Sequence, residues 1–216
     1  MAIRLEKGEN RKLDLNVFHV GLGWDVNENS GDDFDLDVSA FMITSTGKLL
    51  GDDYLVFYNS EKRVRPENLS KIVSYTEFPN NEAMRKQSRP VDPELSVIGS
   101  IDDENGETSE DGDDETMDIN LNKVNPKVSE IVICVSIDKF AERHQNFGQV
   151  ERAYVRLYKP GQAEGEGEFI YDLTEDFSAC TAVEFCRIYR KDGDWKIKAT
   201  GIGYKGGLQE LLNKFY

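Results

Sequence analysis

The sequence predicts an all-β protein, an antiparallel two-sheet β-sandwich with a few short helices, built as one domain over residues 1–216. Three observations carry that prediction. About ten segments alternate apolar and polar residues with the period of a strand. Helical spacing is confined to one short stretch and the C-terminus, and turn signals, the Asp192-Gly193 pair above all, divide the segments at short intervals.

Taken in order, Leu13, Leu15 and Val17 alternate against Asp14 and Asn16 before Phe18 shifts the phase, so Lys12–Asp25 is a strand. Gly21 and Gly23 interrupt it and imply a bulge or a close backbone approach; Trp24 is a core anchor, and Asp25 is placed to turn toward a site. From Phe34 to Ile43 the alternation is strict, which projects Asp35 and Asp37 from one face about 7 Å apart. Thr44–Lys48 is a turn, and Leu49–Asn59 returns as one strand or two, completing a hairpin.

Residues 61–94 break the pattern. They hold Pro66, Pro79, Pro90 and Pro93 together with a concentration of Lys and Arg, and are read as a locally basic surface insertion in which Leu69–Tyr75 forms a short helix or strand. Such a segment is a candidate contact for the acidic face or for a partner.

Thr116–Leu121 alternates as a strand. Lys127–Ile137, rich in Val and Ile, suits a central strand buried on both sides. Asp138 is a candidate N-cap for a short helix ending near Gly148. Ala153–Tyr158, Phe169–Leu173 and Ala182–Arg190 are strands, with Gly161–Gly167 a hairpin loop; Asp192-Gly193 turns the chain back into Trp195–Ala199. Leu208, Leu211, Leu212 and Phe215 fall at helical spacing and predict a short C-terminal helix packed on the sheets. Gly201, Gly203, Gly206 and Gly207 fit neither nucleotide-binding fingerprint.

Composition narrows the function. A hydrophobic fraction of 38% supports a folded core, and a formal net charge of −15 argues against nucleic acid, because such a surface repels phosphates. The first residues carry no apolar core of a secretion signal, and no run of about twenty apolar residues occurs, so the expectation is a cytoplasmic protein without direct membrane insertion. Cys134 reads as a buried thiol, while Cys180 and Cys186 match no metal or redox spacing. His19 and His144 are too few and too far apart for a zinc site, and no serine or cysteine nucleophile has a visible partner.

What stands out is the run Ile101–Glu115. It sets many carboxylates and one amide oxygen on a glycine-interrupted backbone, so that hard oxygen donors can converge without regular structure. Calcium takes about six to eight such oxygens and tolerates uneven geometry. An acidic run is ordinarily a solvated loop. Against that, glycines sit between these carboxylates, and a second acidic group, Asp32–Asp37, stands inside an apolar alternation where charge is expensive. An EF-hand does not account for the run, since counting back from Gly106 or Gly112 puts Ile101 or Glu107 where the first Asp belongs. The candidate metal ligands are Asp25, Asp35, Asp37, Asp103, Glu104, Asn105, Asp111, Asp113, Asp114 and Glu115.

At Gly21-Leu22-Gly23-Trp24-Asp25, Phe34-Asp35-Leu36-Asp37-Val38, Gly112-Asp113-Asp114-Glu115, Gln145-Asn146-Phe147-Gly148-Gln149-Val150 and Tyr171-Asp172-Leu173, the chain resembles the tellurium-resistance TerD family of bacterial stress proteins. The resemblance covers nearly all of the chain outside residues 61–94. It implies a β-sandwich that binds two Ca²⁺ ions in its loops, encoded among genes for resistance to tellurite, phage or chemical stress, and a family without an established catalytic activity. By position it carries metal ligation to Asp35 and Asp37, and to Asp113, Asp114 and Glu115. The chain departs where the family has Gly-Asp-Asn and this sequence reads Asp103-Glu104-Asn105.

The leading expectation is therefore a non-enzymatic Ca²⁺-binding module acting through protein partners, other stress-resistance proteins and membrane-associated complexes among them. Two alternatives stand beside it: a metal-dependent phosphoester hydrolase, and a sensor of a small anion or nucleotide.

Overall fold

Period-two alternation buries one face of each strand, and two such faces closed on one another make the core. The computed structural model describes residues 3–4, 7–27, 31–77, 81–105, 112–161, 169–173 and 177–216. Its strands are β1 (Ile3–Arg4), β2 (Asn10–Lys12), β3 (Val17–Gly23), β4 (Leu36–Ile43), β5 (Leu55–Val56), β6 (Lys62–Arg65), β7 (Asn68–Ser74), β8 (Arg89–Pro90), β9 (Val97–Ile98), β10 (Glu115–Asn120), β11 (Glu130–Ile137), β12 (Tyr154–Tyr158), β13 (Phe169–Asp172), β14 (Ala182–Lys191) and β15 (Asp194–Tyr204). Three short helices join them: α1 (Asn81–Lys86), α2 (Phe140–Arg143) and α3 (Gly207–Phe215).

The strands form a six-stranded sheet in the order β1-β13-β12-β3-β10-β9, a second in the order β2-β15-β14-β11-β4-β5, and a small sheet β7-β6-β8. Pairing is antiparallel except between β1 and β13. Phe18, Val20 and Leu22 from the first sheet share the main core with Leu36, Val38, Ile133 and Val135 from the second. The other face of β4 and β11 is covered as well: Phe41, Val132 and Cys134 cluster with Leu211 and Phe215 of α3. Burial on both sides is why β11 lacks polar alternation. Beneath α3 the fully buried Glu184 is met by Arg187 (2.8 Å) and Lys214 (2.7 Å).

Several elements differ from the sequence reading. Leu49–Asn59 supplies only the two residues of β5 after a 3₁₀ turn at Asp52–Tyr54. The helix expected after Asp138 is one turn long and is entered through Lys139 in the left-handed region rather than through a carboxylate cap. β15 runs on past Ala199 to Tyr204, its partner β14 shifting register between Glu184 and Cys186 opposite Gly201, whose φ is +53°. Residues 61–94 build the small sheet around Arg63, which is fully buried and donates to Ser88 Oγ (2.6 Å), Ser88 O (2.8 Å) and Tyr58 O (2.8 Å). Residues 162–168, most of the expected hairpin loop, lie outside the described residues. No helix among the described residues is long and apolar enough to cross a membrane.

The Asp192-Gly193 turn has φ of +56° and +84°, the twist a two-residue hairpin loop requires. Gly21 and Gly23 mark a close approach: a methyl at Gly21 would overlap the Asp113 carboxylate, and one at Gly23 would lie 2.6 Å from the Tyr154 ring.

One mismatch of strand lengths positions the site. β5 pairs with β4 only at Ala40 and Phe41, and β9 pairs with β10 only at Asp118 and Ile119. The ends Leu36–Val38 and Glu115–Met117 therefore run past their edge neighbours, and the segment after β9 crosses toward them.

Candidate metal centre

Where β4 outruns β5, the backbone of Val38 turns its N–H to a side chain instead of a strand: Glu115 Oε2 accepts it at 2.8 Å. That bond draws the carboxylate at the head of β10 onto β4, beside Asp37. Asp102, from the segment after β9, completes a trio in which one oxygen each from Asp37, Asp102 and Glu115 lie within 4.8 Å of one another. Oxygens bound to a single Ca²⁺ at about 2.4 Å are at most about 4.8 Å apart, so the trio fits one coordination shell. Asp37 and Glu115 are buried and Asp102 is half-buried. All the donors are hard carboxylate oxygens, a set suited to Ca²⁺ or Mg²⁺ and not to zinc or copper.

Electrostatics supports the same reading. Burial pushes the Asp35 carboxyl up to about 7 from 3.8, helped by the nearby charges of Asp138 and Asp102, with Arg143 opposing. Asp37 is driven well above the ordinary range by burial, then by Glu115, Asp35, Asp102 and Asp138. Glu115 is raised too, chiefly by burial and by Asp102 and Asp35, although the N–H groups of Val38 and Asp103 favour its anion. Carboxylates held together this way resist ionisation until a cation neutralises them.

The other expected ligands lie outside this trio and meet partners of their own among the described residues. Asp113 lies over Gly21 and receives a fork from Arg156, Nε to Oδ1 at 2.8 Å and Nη2 to Oδ2 at 2.9 Å, with the Tyr154 hydroxyl at 3.0 Å. Asp114 accepts the Trp24 N–H (2.9 Å), tying the head of β10 to the core anchor that follows β3. Asp25 is bound by Arg152 (2.6 Å), and Glu104 by Lys86 (3.0 Å), a contact between the basic 61–94 segment and the acidic run. Asp103 accepts the N–H of Asn105 in a local turn (3.1 Å), while its own N–H serves Glu115. Asp111 lies outside the described residues.

Sequence reasoning missed Asp102 and Asp138. Asp102 sits in the acidic run, where no alternation indicates which carboxylate faces inward. Asp138 carries the wrong-looking signal, that of a helix cap; in the structure its N–H donates to Asp35 O at 2.8 Å and its charge bears on both Asp35 and Asp37.

Comparison with known proteins places these features in a family context. A family model described as the TerD domain matches residues 1–83 and 87–215, so the basic segment falls almost entirely within the matched region. Tellurium resistance protein TerD of Serratia marcescens is 37% identical over 221 residues, covering 100% of this chain and 97% of that one. General stress protein 16U of Bacillus subtilis is 34% identical over 223 residues, with 100% and 97% covered. Among solved structures, a homologue of the telluride resistance protein from Streptomyces coelicolor superposes with a TM-score of 0.62 at 16% identity over 92% of this chain and 95% of that chain, a likeness of fold.

Proposed function

The chain belongs to the TerD family, and from that premise we propose that it is a non-catalytic, cytoplasmic Ca²⁺-binding module of a chemical-stress response that works through protein partners. The observation that carries the reading is the convergence of Asp37, Asp102 and Glu115 from three separate parts of the chain onto one point. Oxygens so placed raise the energy of the folded protein as bare anions and lower it around a dication.

Asp37, Asp102 and Glu115 would hold the ion, with Asp35 and Asp138 adding negative potential beside it. A bound cation supplies charge neutralisation and a crosslink. The chain's own residues do the rest: the Val38 N–H fixes one Glu115 oxygen, the Asp103 N–H steadies the same carboxylate, and burial keeps competing water away from Asp37. What the module would offer a partner is a loop region that is ordered when the cation is present. Relatives named for tellurium resistance and general stress support a role in chemical defence.

Isothermal titration of the metal-stripped protein with Ca²⁺ tests this. Binding with a matching rise in melting temperature is expected, both lost in Asp37→Asn; absence of heat and of stabilisation at millimolar Ca²⁺ sinks the proposal.

A further inference from the structure

We propose that residues 138–148 couple the C-terminal helix α3 to the cation state of the carboxylate centre, so that α3 is held more firmly when the centre is loaded. The inference rests on the cation-binding reading above.

The segment grips the loop leading into β4, which carries Asp37, at one end and α3 at the other. Toward the loop, Asp138 N–H donates to Asp35 O (2.8 Å), Arg143 Nη1 to Asp33 O (3.1 Å), and Gln145 Nε2 to Asp32 O (3.0 Å) and Asp33 O (3.1 Å). Toward the helix, the Phe140 ring lies directly on Gly207, the first residue of α3, where a methyl would sit 2.5 Å from the ring. Gly207 has φ of +58°, a conformation open to glycine, and donates its N–H to Thr181 Oγ1 (3.0 Å). Thr181 O in turn accepts the N–H of Ile137 (3.0 Å), so the strand that delivers Asp138 also anchors the turn before α3.

The link itself is stiff. Lys139 and His144, on either side of α2, both lie in the left-handed region that non-glycine residues rarely adopt, at φ of 48° and 54°. A short connector of this kind persists only while both ends are held. In the cation-free protein the carboxylates of Asp37, Asp102 and Glu115 crowd one another and load that end. Relaxation there removes support from Phe140 and hence from Gly207.

α3 suits the role of responder. Nine residues are too few for a helix to be stable by itself, so its amide protection reports its docking. It is also held by Leu211 and Phe215 in the outer apolar cluster, by Lys214 on Glu184 (2.7 Å), and by the Leu49 N–H and Lys48 Nζ, which donate to Phe215 O (2.8 Å) and Lys214 O (3.2 Å).

The experiment is amide hydrogen exchange of residues 208–215 in the full chain, with chelator or with saturating Ca²⁺, alongside calorimetric titration of each sample. Ca²⁺ should slow exchange of α3 by about tenfold. Phe140→Ala should bind Ca²⁺ within about twofold of the parent yet lose that slowing, and Phe140→Leu, which keeps bulk against Gly207, should retain most of it. Lys214→Ala should speed exchange of α3 in both states while preserving the ratio between them. Ca²⁺ binding by calorimetry without any change in α3, or full slowing in Phe140→Ala, overturns the coupling and leaves the metal centre standing. Absence of Ca²⁺ heat overturns the reading of the centre and the coupling with it.

Discussion

Asp35→Asn should stabilise the metal-free protein at pH 8, although it removes a charged group from a site the fold has gone to some trouble to build. The Asp35 carboxyl moves from 3.8 to about 7 on folding. Each pH unit is worth about 1.4 kcal/mol, so keeping Asp35 ionised in the folded state costs at most about 4 kcal/mol. Relaxation of the neighbouring loop and residual solvent reduce that to roughly 2 kcal/mol. The sign follows from proton binding. A carboxyl whose folded value is raised holds its proton more tightly folded than unfolded, so its contribution falls as pH rises from 3.8 through about 7. Asp92, raised by burial to about 6, acts in the same direction, which is why the comparison is between parent and variant and not between two pH values alone. Asp118 and Glu184, both lowered by cationic partners despite their burial, lose their contributions only below the ordinary carboxylate range and leave the window from pH 5 to 8 undisturbed. Calorimetric melting in chelator should place Asp35→Asn about 4–8 °C above the parent at pH 8, with the gap closing toward pH 5. With saturating Ca²⁺ the order should reverse. A variant no more stable than the parent at pH 8 without metal refutes the electrostatic argument.

Other perturbations test the surroundings. Arg156→Met leaves Asp113 buried without its fork and should cost about 3–5 kcal/mol in denaturant unfolding. Gly21→Ala drives a methyl into that same carboxylate, so it should destabilise by a similar amount and add little when combined with Arg156→Met. Glu184→Gln weakens the pair with Arg187 and the tether to Lys214 of α3; thermal melting at pH 7 should fall, and the loss should shrink as pH drops from the ordinary 4.5 through the lowered value that Arg187 and Lys214 impose on the parent's Glu184.

Most of the sandwich is written in the alternation itself. β10 is legible because a one-residue slip would move Met117 and Ile119 off the core face, and β4 because the same slip would move Leu36 and Val38 out of the main core and put Asp37 and Ser39 in their place. β5 is not, because Leu49–Asn59 is apolar enough for a strand while its length is decided by what lies across from it: Leu49 and Phe57 pack under α3, and Asp52–Tyr54 turn out of the sheet. The buried Arg63 is invisible for a similar reason, since it donates to the backbone carbonyls of Tyr58, Ser60 and Ser88 and to the Ser88 hydroxyl, which have no pattern of their own. At the centre, the sequence marked two acidic groups but could not rank carboxylates within a run. Convergence on Asp37 and Glu115 singles out the half-buried Asp102 from the more deeply buried Asp103 and Asp114, and that convergence depends on which edge strands stop short.

The sharpest discrimination lies between Asp102 and Asp113, which look alike as letters. Asp113 has a guanidinium fork and a tyrosine hydroxyl, so its charge is already matched and its oxygens are directed at β12. Asp102 is half-buried beside Asp37 and Glu115 and raises the proton affinity of both, a crowding that an added cation relieves. Asp113→Asn should therefore lower the melting temperature with or without Ca²⁺ and, in the fraction that stays folded, leave the binding constant within about threefold of the parent. Asp102→Asn should do the opposite, leaving the metal-free protein as stable as before or slightly more so while weakening Ca²⁺ at least about tenfold. Equal losses of affinity in the two variants would place Asp113 in the coordination shell of the loaded protein and would require Arg156 to release it on binding, which a pair of titrations and two melting curves can decide.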